Sequence, residues 1–403
     1  MTHALDAVRV DVDGIANIAP PTMIEPVSQR SAGGLPQVKL PSGHTAVHVT
    51  SYRDVHAVLT DLSFARAETN VDDGPSFLPT IMPTEMLLNL DHPGHGRLKG
   101  FVASAYSAAT MTRRVPAVHR VLDDALAELR AQRARGSADL VGALLDPVTI
   151  GVNVDYLGIP TADIAYFRHL SREMQLAHDT DIDQLLADFW TLYHYLEDLI
   201  ARRRELRPGL IIDLLEARES VSPPVSDAEY AAILLGSLVG GDQNILSVIT
   251  KIAYVALARP ELWQYLVHNP DAIPTAVEEF LRLLPLGRIS TFPRVTTREI
   301  TLTRGVLHPG DIVYADAHSA NRDPEVYPDP AVIDPARDGK RHLQFGYGMH
   351  HCMGAAMARM EITEVLRRLV TELPTLELAV AEQEIPWETG VLVHRPTSLP
   401  VTW

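Results

Sequence analysis

The sequence predicts a mainly α-helical chain with a minor β region, built as one large domain. Three observations lead there. Between Asp227 and about Arg259 apolar residues recur nearly all round a helical repeat, the mark of a helix buried through the middle of a body. From Val115 to about Arg207, Leu, Ala and Val recur at three- and four-residue spacing, broken at Gly136, Pro147 and the turn from Leu157 to Pro160. Strand-like text is limited to a stretch after Gln37 and another from Ser290.

Taken in order, residues 1–36 hold proline, glycine and little periodicity, and read as an irregular lead-in to a body spanning 37–403. QVKL, a Pro-Ser-Gly turn and HTAVHVT predict a β-hairpin. Ser51 is placed to cap a helix beginning near Tyr52. From Phe64 to Leu90, Gly74, Pro75, Pro79 and Pro83 interrupt a set of apolar residues that includes Phe77, Leu78, Ile81, Met82, Met86 and Leu87. Such a segment is either a binding loop or a strap packed on the body. In DHPGHGRLKG, Pro93 suits a helix start, yet His95, Arg97 and Lys99 gather positive charge where the helix dipole disfavours it. Either an anion compensates them or the turn is exposed.

The long apolar helix contains Gly240-Gly241. Each glycine costs about 1 kcal/mol relative to alanine in a helix interior, so the pair signals a bend or a close approach. Further on, Glu279 and Arg282 lie at i and i+3, within reach of each other on one helix.

Acidic residues exceed basic ones by 51 to 35, for a formal charge of −16, which argues against nucleic acid or an anionic membrane as the main partner. The first thirty residues lack a basic start followed by an apolar core, so no secretory signal is expected. The longest apolar run, near Ala231 to Gly241, is interrupted by glycine and serine and is read as short of a membrane span. With one cysteine no internal disulfide is possible, and a reducing cytoplasm is the expected location.

That cysteine, Cys352, sits in HLQFGYGMHHCMGAAMARME, His342 to Glu361. Gly346, Gly348 and Gly354 bracket it, and a helix pattern runs from Ala355 to Leu369. Glycines let a bulky group approach the backbone, and a helix N-terminus favours a thiolate. A zinc site from His342, His350, His351 and Cys352 is the poorer reading, because chain neighbours rarely converge on one tetrahedral ion. A small buried hydrophobe is the other reading. A lone thiolate in a glycine loop suits iron.

Phe345-Gly346-x-Gly348-x-His350-x-Cys352-x-Gly354 resembles the cysteine-ligand signature of the cytochrome P450 family, the haem-thiolate oxygenases. Glu279 and Arg282 resemble the family's E-x-x-R pair, and Ala320-Asn321-Arg322-Asp323-Pro324 resembles a segment of its soluble bacterial members. The resemblance runs from about Gln37 to Trp403. It implies the P450-like fold, with the long helix passing over a haem b whose iron takes Cys352. Phe345, Gly346 and Gly354 would cradle the haem, and His95, Arg97, Arg294 and His350 would meet its propionates. The loop carrying Phe77, Leu78, Met82 and Met86 would cover the substrate, with Gly240, Ile289, Phe292 and Leu392 lining the pocket. Dioxygen would sit at Gly240-Gly241.

In one respect the chain departs from the family. Where an acid and a threonine usually stand, it has Gln243 and Asn244. A carboxamide donates a hydrogen bond but neither releases a proton as a carboxyl does nor relays one as a hydroxyl does. Protons would then come from water, the substrate, Asp242 or Ser237, the last on the same helix face as Gly241. The implied function is hydroxylation or oxidative C–C or C–N coupling of a mid-sized natural-product intermediate, peptide-derived, aromatic or diketopiperazine-like. Electrons from NAD(P)H would arrive through a ferredoxin or flavodoxin docked on a positive patch of Arg113, Arg114, Arg359 and Arg367. The rival is a non-catalytic haem sensor or accessory subunit.

Overall fold

A computed structural model describes residues 8–19, 22–77, 82–136, 138–173, 182–202, 205–337, 341–388 and 393–403. Its helices are α1 (Tyr52–Thr60), α2 (Gly94–Val102), α3 (Ala108–Ala134), α4 (Asp146–Leu157), α5 (Ile164–Glu173), α6 (Ile182–Ala201), α7 (Leu210–Ala217), α8 (Asp227–Gly241), α9 (Gln243–Ala258), α10 (Pro260–His268), α11 (Ile273–Leu283), the short α12 (Ala317–Ala320) and α13 (Ala355–Glu372). One core runs through the helical part, with α8 and α9 at its centre and α3 packed against α4 and α13.

The central pattern holds, with one refinement. It is two helices, because at Asp242 (φ −106°, ψ −84°) the backbone leaves helical geometry. A capping box of Ser226 and Glu229 starts α8. The stretch Asp227–Ala258 is long and apolar enough to cross a membrane, contrary to the reading that no segment approached that length. Its apolar surface is taken up by the protein core, since most of it is buried.

The strands form small sheets. Six strands, β2 (Glu25–Val27), β3 (Gln37–Lys39), β4 (Thr45–Val49), β10 (Ile312–Ala315), β7 (Arg294–Thr296) and β5 (Phe64–Ala65), lie side by side in that order. The predicted hairpin is β3–β4, with Val38 opposite Ala46, and Ser51 caps α1 by accepting the Asp54 N–H at 3.3 Å. A second sheet orders β12 (Glu377–Leu378), β13 (Pro400–Thr402) and β6 (Ala138–Asp139), and β8 (Ile300–Leu302) pairs with β9 (Gly305–Leu307). The lead-in is not irregular. Its β1 (Val10–Asp11) pairs with β11 (Val332–Ile333), β2 joins the large sheet, and Val10, Val12, Ile15 and Ile18 enter the main core. Strands of two and three residues are too short to leave a periodic signal.

The Glu279–Arg282 pair is a buried clasp. Arg282 Nη2 and Nε donate to Glu279 Oε1 and Oε2, each at 2.8 Å, and its Nη1 donates to the carbonyls of Asn321 and Pro330, also at 2.8 Å. Arg337 closes on Glu279 at 2.8 Å. The clasp thereby fixes α11 against the segment that leads to the cysteine loop. Arg282→Leu removes both guanidinium bonds to the buried Glu279 and strands the Asn321 and Pro330 carbonyls, so denaturant titration should show a loss of about 3–5 kcal/mol or failure to fold.

Candidate functional site

A cavity of about 380 Å³ opens between the α8–α9 junction and the cysteine loop. The loop's shape is set by Gly346 (φ 65°) and Gly348 (φ 67°), in a region disfavoured for other residues. Gly348 also lies against Leu59, where an added Cβ would stand 2.4 Å from the carbonyl oxygen. The Cys352 N–H donates to Phe345 O at 2.8 Å, and α13 begins two residues after Gly354's predecessor, at Ala355. The thiol is exposed, and it lines the cavity. Enclosure raises its pKa, while the N–H groups of Gly354 and Ala355 and the charges of Lys99 and Arg359 favour the thiolate.

Beside the sulfur lies a concentration of cationic and donor groups. Arg66 and Arg294 are both buried and both line the cavity; burial pushes them down to about 9 and about 10. The rings of His95 and His350 meet edge to face, with centroids 4.5 Å apart. Burial holds His95 at about 4, helped by Lys99, and His350 at about 2, helped by Arg294. His95 Nδ1 and His350 Nε2 are buried with no hydrogen-bond partner among the described residues. Asp91 is the nearby acid, but its carboxylate already accepts the N–H groups of Arg66 and Ala67 at 3.0 Å. Buried donors and charges of one sign call for an anion. Arg66, Arg294, His95 and His350 would thus suit the carboxylates of a cofactor held beside Cys352.

The opposite wall is α8 and the start of α9: Gly236, Ser237, Gly240, Gly241, Asn244, Ile245 and Val248. The two glycines have different jobs. Gly240 faces open space, whereas a Cβ on Gly241 would stand 3.0 Å from Asn153 Oδ1 on α4. The close-approach reading therefore holds for Gly241, while Gly240 opens onto the cavity.

The sequence model described as Cytochrome P450 matches residues 273–399. Nocardicin C N-oxygenase of Nocardia uniformis subsp. tsuyamanensis is 36% identical over 369 residues, covering 91% of this chain and 92% of that protein. Mycinamicin IV hydroxylase/epoxidase of Micromonospora griseorubida is 33% identical over 380 residues, covering 94% and 93%. Among solved structures, HinD with NMFT and NO superposes with a TM-score of 0.85 at 32% identity, covering 92% of this chain and 93% of that one. Cytochrome P450mel 107F1, with biaryl coupling reactivity, gives 0.84 at 30% identity, covering 94% and 93%. The chain is a cytochrome P450.

As a P450 it is an oxidoreductase that uses haem and takes reducing equivalents from a redox partner. Cys352 is the cavity residue that would hold the haem, which would supply activation of dioxygen. The structure brings Ser237, Gly240, Gly241, Asn244, Phe292, Arg294, Phe345, Gly346, His350, Cys352 and Gly354 to one cavity, with His95 packed behind His350. Others are elsewhere. Arg97 is ion-paired with Glu229 and reaches Pro223 O at 3.3 Å, because it projects from the far side of α2 relative to His95. The cation that does reach the cysteine loop is Lys99, four residues after His95, whose Nζ donates to the carbonyls of Met349 and His351. Phe77 is core, its ring edge-on to Tyr314 at 5.4 Å, and Ile289 packs in the same small cluster. Met82 and Met86 pack on the main core and do not line the cavity, so the strap reading fits them better. Leu78 and Leu392 lie outside the described residues.

Gln243 turns away from the cavity: its Nε2 donates to Asp242 Oδ2 at 3.0 Å, and its Oε1 accepts from Arg395 at 3.4 Å. Asp242 itself is fully buried. The arginine patch is largely neutralised, since Arg114 pairs with Asp155, Arg359 with Glu278 at 2.6 Å and Arg367 with Glu364 at 2.9 Å. Sequence reasoning missed Arg66, Tyr106, Leu286 and Gln344 on the cavity wall. No local motif marks them, although an arginine two residues after Phe64 in an apolar strand was a usable signal.

Leu286 is held by α9. Ser247 Oγ donates to Leu286 O at 3.0 Å and alternatively to His394 O at 3.1 Å, while Lys251 Nζ donates to the Leu286 and Pro285 carbonyls. Burial, then Arg395, lowers Lys251 from 10.5 to about 7, with Glu388 opposing. The unfolded chain therefore binds the extra proton between about 7 and 10.5, and stability rises with pH across that window. Lys251→Met should abolish this increment in denaturant titrations at successive pH values; an unchanged pH slope would refute it. Gly241→Ala should lower stability by about 1–3 kcal/mol through overpacking on Asn153. Gly240→Ala should leave thermal stability intact and instead alter the substrate-induced spectral shift, because its methyl enters the cavity.

Proposed function

We propose that this cytochrome P450 oxidises a mid-sized natural-product intermediate bearing amide or hydroxyl groups, by hydroxylation or oxidative C–C or C–N coupling. One observation carries the reading: Asn244 lines the cavity while Gln243 is committed to Asp242 and Arg395. At the position where a hydroxyl would relay protons, the wall offers an amide suited to pairing with a substrate amide or hydroxyl. Ser290 and Thr291 add hydroxyls to an otherwise mostly apolar lining. The relatives support the class, with names that include an N-oxygenase, a hydroxylase/epoxidase, a biaryl-coupling enzyme and an enzyme of thaxtomin hydroxylation.

In this reading haem b occupies the cradle of Arg66, His95, Arg294 and His350, and a ferredoxin or flavodoxin carries electrons from NAD(P)H in the cytoplasm. The chain's own groups orient the substrate and exclude water. Ser237 Oγ donates to Ile233 O at 2.9 Å and hydrogen-bonds Tyr106, so it is held in a fixed position on the wall. Any proton it passes must return through Tyr106 or water.

Purified protein reconstituted with haem should give the reduced carbon monoxide spectrum of thiolate ligation, and Cys352→His should lose it. Aromatic amino-acid derivatives and cyclic dipeptides should shift the haem spectrum and drive NADPH consumption through a surrogate reductase. Asn244→Thr should change the product ratio and the leakage of peroxide; if neither moves, Asn244 has no part in the mechanism.

A further inference from the structure

Ser290, Thr291, Phe292 and Arg294 line the cavity, yet the chain from Ser290 to Pro293 belongs to no helix or strand. An irregular wall keeps one shape only if its polar groups are held by something else. Here the end of β10 and the start of α12 hold it. The Ser290 N–H donates to Tyr314 Oη at 3.2 Å, and the Ser290 and Tyr314 hydroxyls meet at 3.0 Å. Ser290 Oγ also donates to Asp316 Oδ1 at 3.1 Å and accepts the Ala317 N–H at 3.0 Å. Thr291 Oγ1 donates to Ala315 O at 2.6 Å. At the far end, Pro293 O accepts from Arg66, whose guanidinium lies 5.1 Å from the centre of the Phe292 ring.

A hydroxyl has one hydrogen and two lone pairs. Asp316 is buried, and burial opposes its charge, yet the bonds from His48 at 3.2 Å and from Ser319 hold its carboxyl well below the usual range. A charged carboxylate only accepts. The Ser290 hydrogen therefore goes to Asp316, and its two lone pairs take the Ala317 N–H and the Tyr314 O–H. Ser290 is saturated, and a substrate finds no free valence on it. The hydrogens of Thr291 and Ser237 are likewise spent, on the Ala315 and Ile233 carbonyls. His48, Tyr314 and Asp316 themselves do not line the cavity.

We infer that Asp316 is a positioning residue for substrate selection: through Ser290 it fixes the ledge 290–293, and Ser290 is the anchor of that ledge, not a ligand of the substrate. The inference rests on the oxidase reading above, which it deepens by separating the polar wall groups that can meet a substrate from those that cannot. The anchor has a rigid foundation. His48 and Tyr314 stand side by side across the parallel pair of β4 and β10, with their rings stacked 5.7 Å apart, and Asp316 caps α12 by accepting the Ser319 N–H. With Ser290 fixed at one end and Pro293 at the other, Thr291 and Phe292 are presented to the cavity in one arrangement. The ledge then selects by shape. Loosening it at Asp316 changes which molecules fit, although Asp316 touches none of them.

The test uses the holoprotein and ligands whose azole nitrogen binds haem iron: imidazole, too small to press on the wall, and the 1-, 2- and 4-phenyl isomers of phenylimidazole, which carry the ring in different directions. Dissociation constants are read from the spectral shift. Ser290→Ala and Asp316→Ala should each change the ratios among the three isomers by about fivefold or more, while imidazole itself moves by less than about twofold. The double variant should match the single ones, because both remove one anchor. Ser290→Thr and Asp316→Asn, which keep the hydroxyl and the accepting oxygen, should restore the ratios. Wild-type ratios in Asp316→Ala, effects that add in the double variant, or an equal loss of imidazole binding overturn the proposal. If Asp316→Ala does not fold, Tyr314→Phe takes its place under the same criteria. Amide hydrogen exchange over 290–292 needs no haem, and it should quicken by about tenfold or more in both single variants; unchanged exchange also overturns the anchor. Failure of wild type to bind imidazole at iron would sink the oxidase reading instead, and exchange would still judge the anchor.

Discussion

The structure depends on placing a thiolate, and the anionic edge of whatever it binds, inside a protein interior without leaving charge uncompensated. Cys352 alone could not do this. The N–H groups at the start of α13 and the Lys99 and Arg359 charges favour the ionised sulfur against burial. Arg66 and Arg294 form the complementary positive rim, and the neutral His95 and His350 beside them each keep one ring nitrogen without a partner among the described residues. Isolated, such a cluster would destabilise the fold. It makes physical sense as one half of an ion-paired assembly with a dianionic cofactor, which would in turn stabilise the folded state by binding it.

The rest of the helical body positions that half-assembly. The Glu279–Arg282–Arg337 clasp fixes the segment running to the cysteine loop, and Lys251 with Ser247 fixes the carbonyls beside Leu286 on the cavity wall. Both arrangements use a buried cation to satisfy backbone carbonyls where the chain has left regular structure. Lys251 does so at the cost of a strongly lowered pKa. α9 is therefore more than a hydrophobic core element: one side lines the cavity and another holds the loops that shape it.

How far the site was legible depended on whether a residue's role is local. Cys352 and its glycines are read from a ten-residue window because the turn, the thiolate and the helix start are all set within it. The E-x-x-R clasp is legible for the same reason, its two ends being one helical turn apart. The cations expected to meet the propionates were only half legible. Both His95 and Arg97 belong to the right helix, but side-chain direction decides between them: Lys99, not Arg97, shares the face of His95. Arg66 directly follows the edge strand β5, distant in sequence, and only the tertiary fold brings it to Arg294. The covering-loop residues were over-read, since Phe77 and Met86 satisfy their apolar surface in the core. Burial and pocket lining are indistinguishable in an apolar pattern.

The break at Asp242 shows how one local irregularity can couple two demands. A continuous helix would bury no carboxylate there, and would have no reason to. Gly240 opens onto the cavity, Gly241 lets α8 approach Asn153, and at the next residue the backbone turns out of helical geometry. Asp242 is thereby buried, and its Oδ2 accepts from the Gln243 amide. The line from Glu388 through Arg395 and Gln243 ends on Asp242. Residue 243 therefore acts on the helix break, which it holds, and not on the cavity, which it does not line.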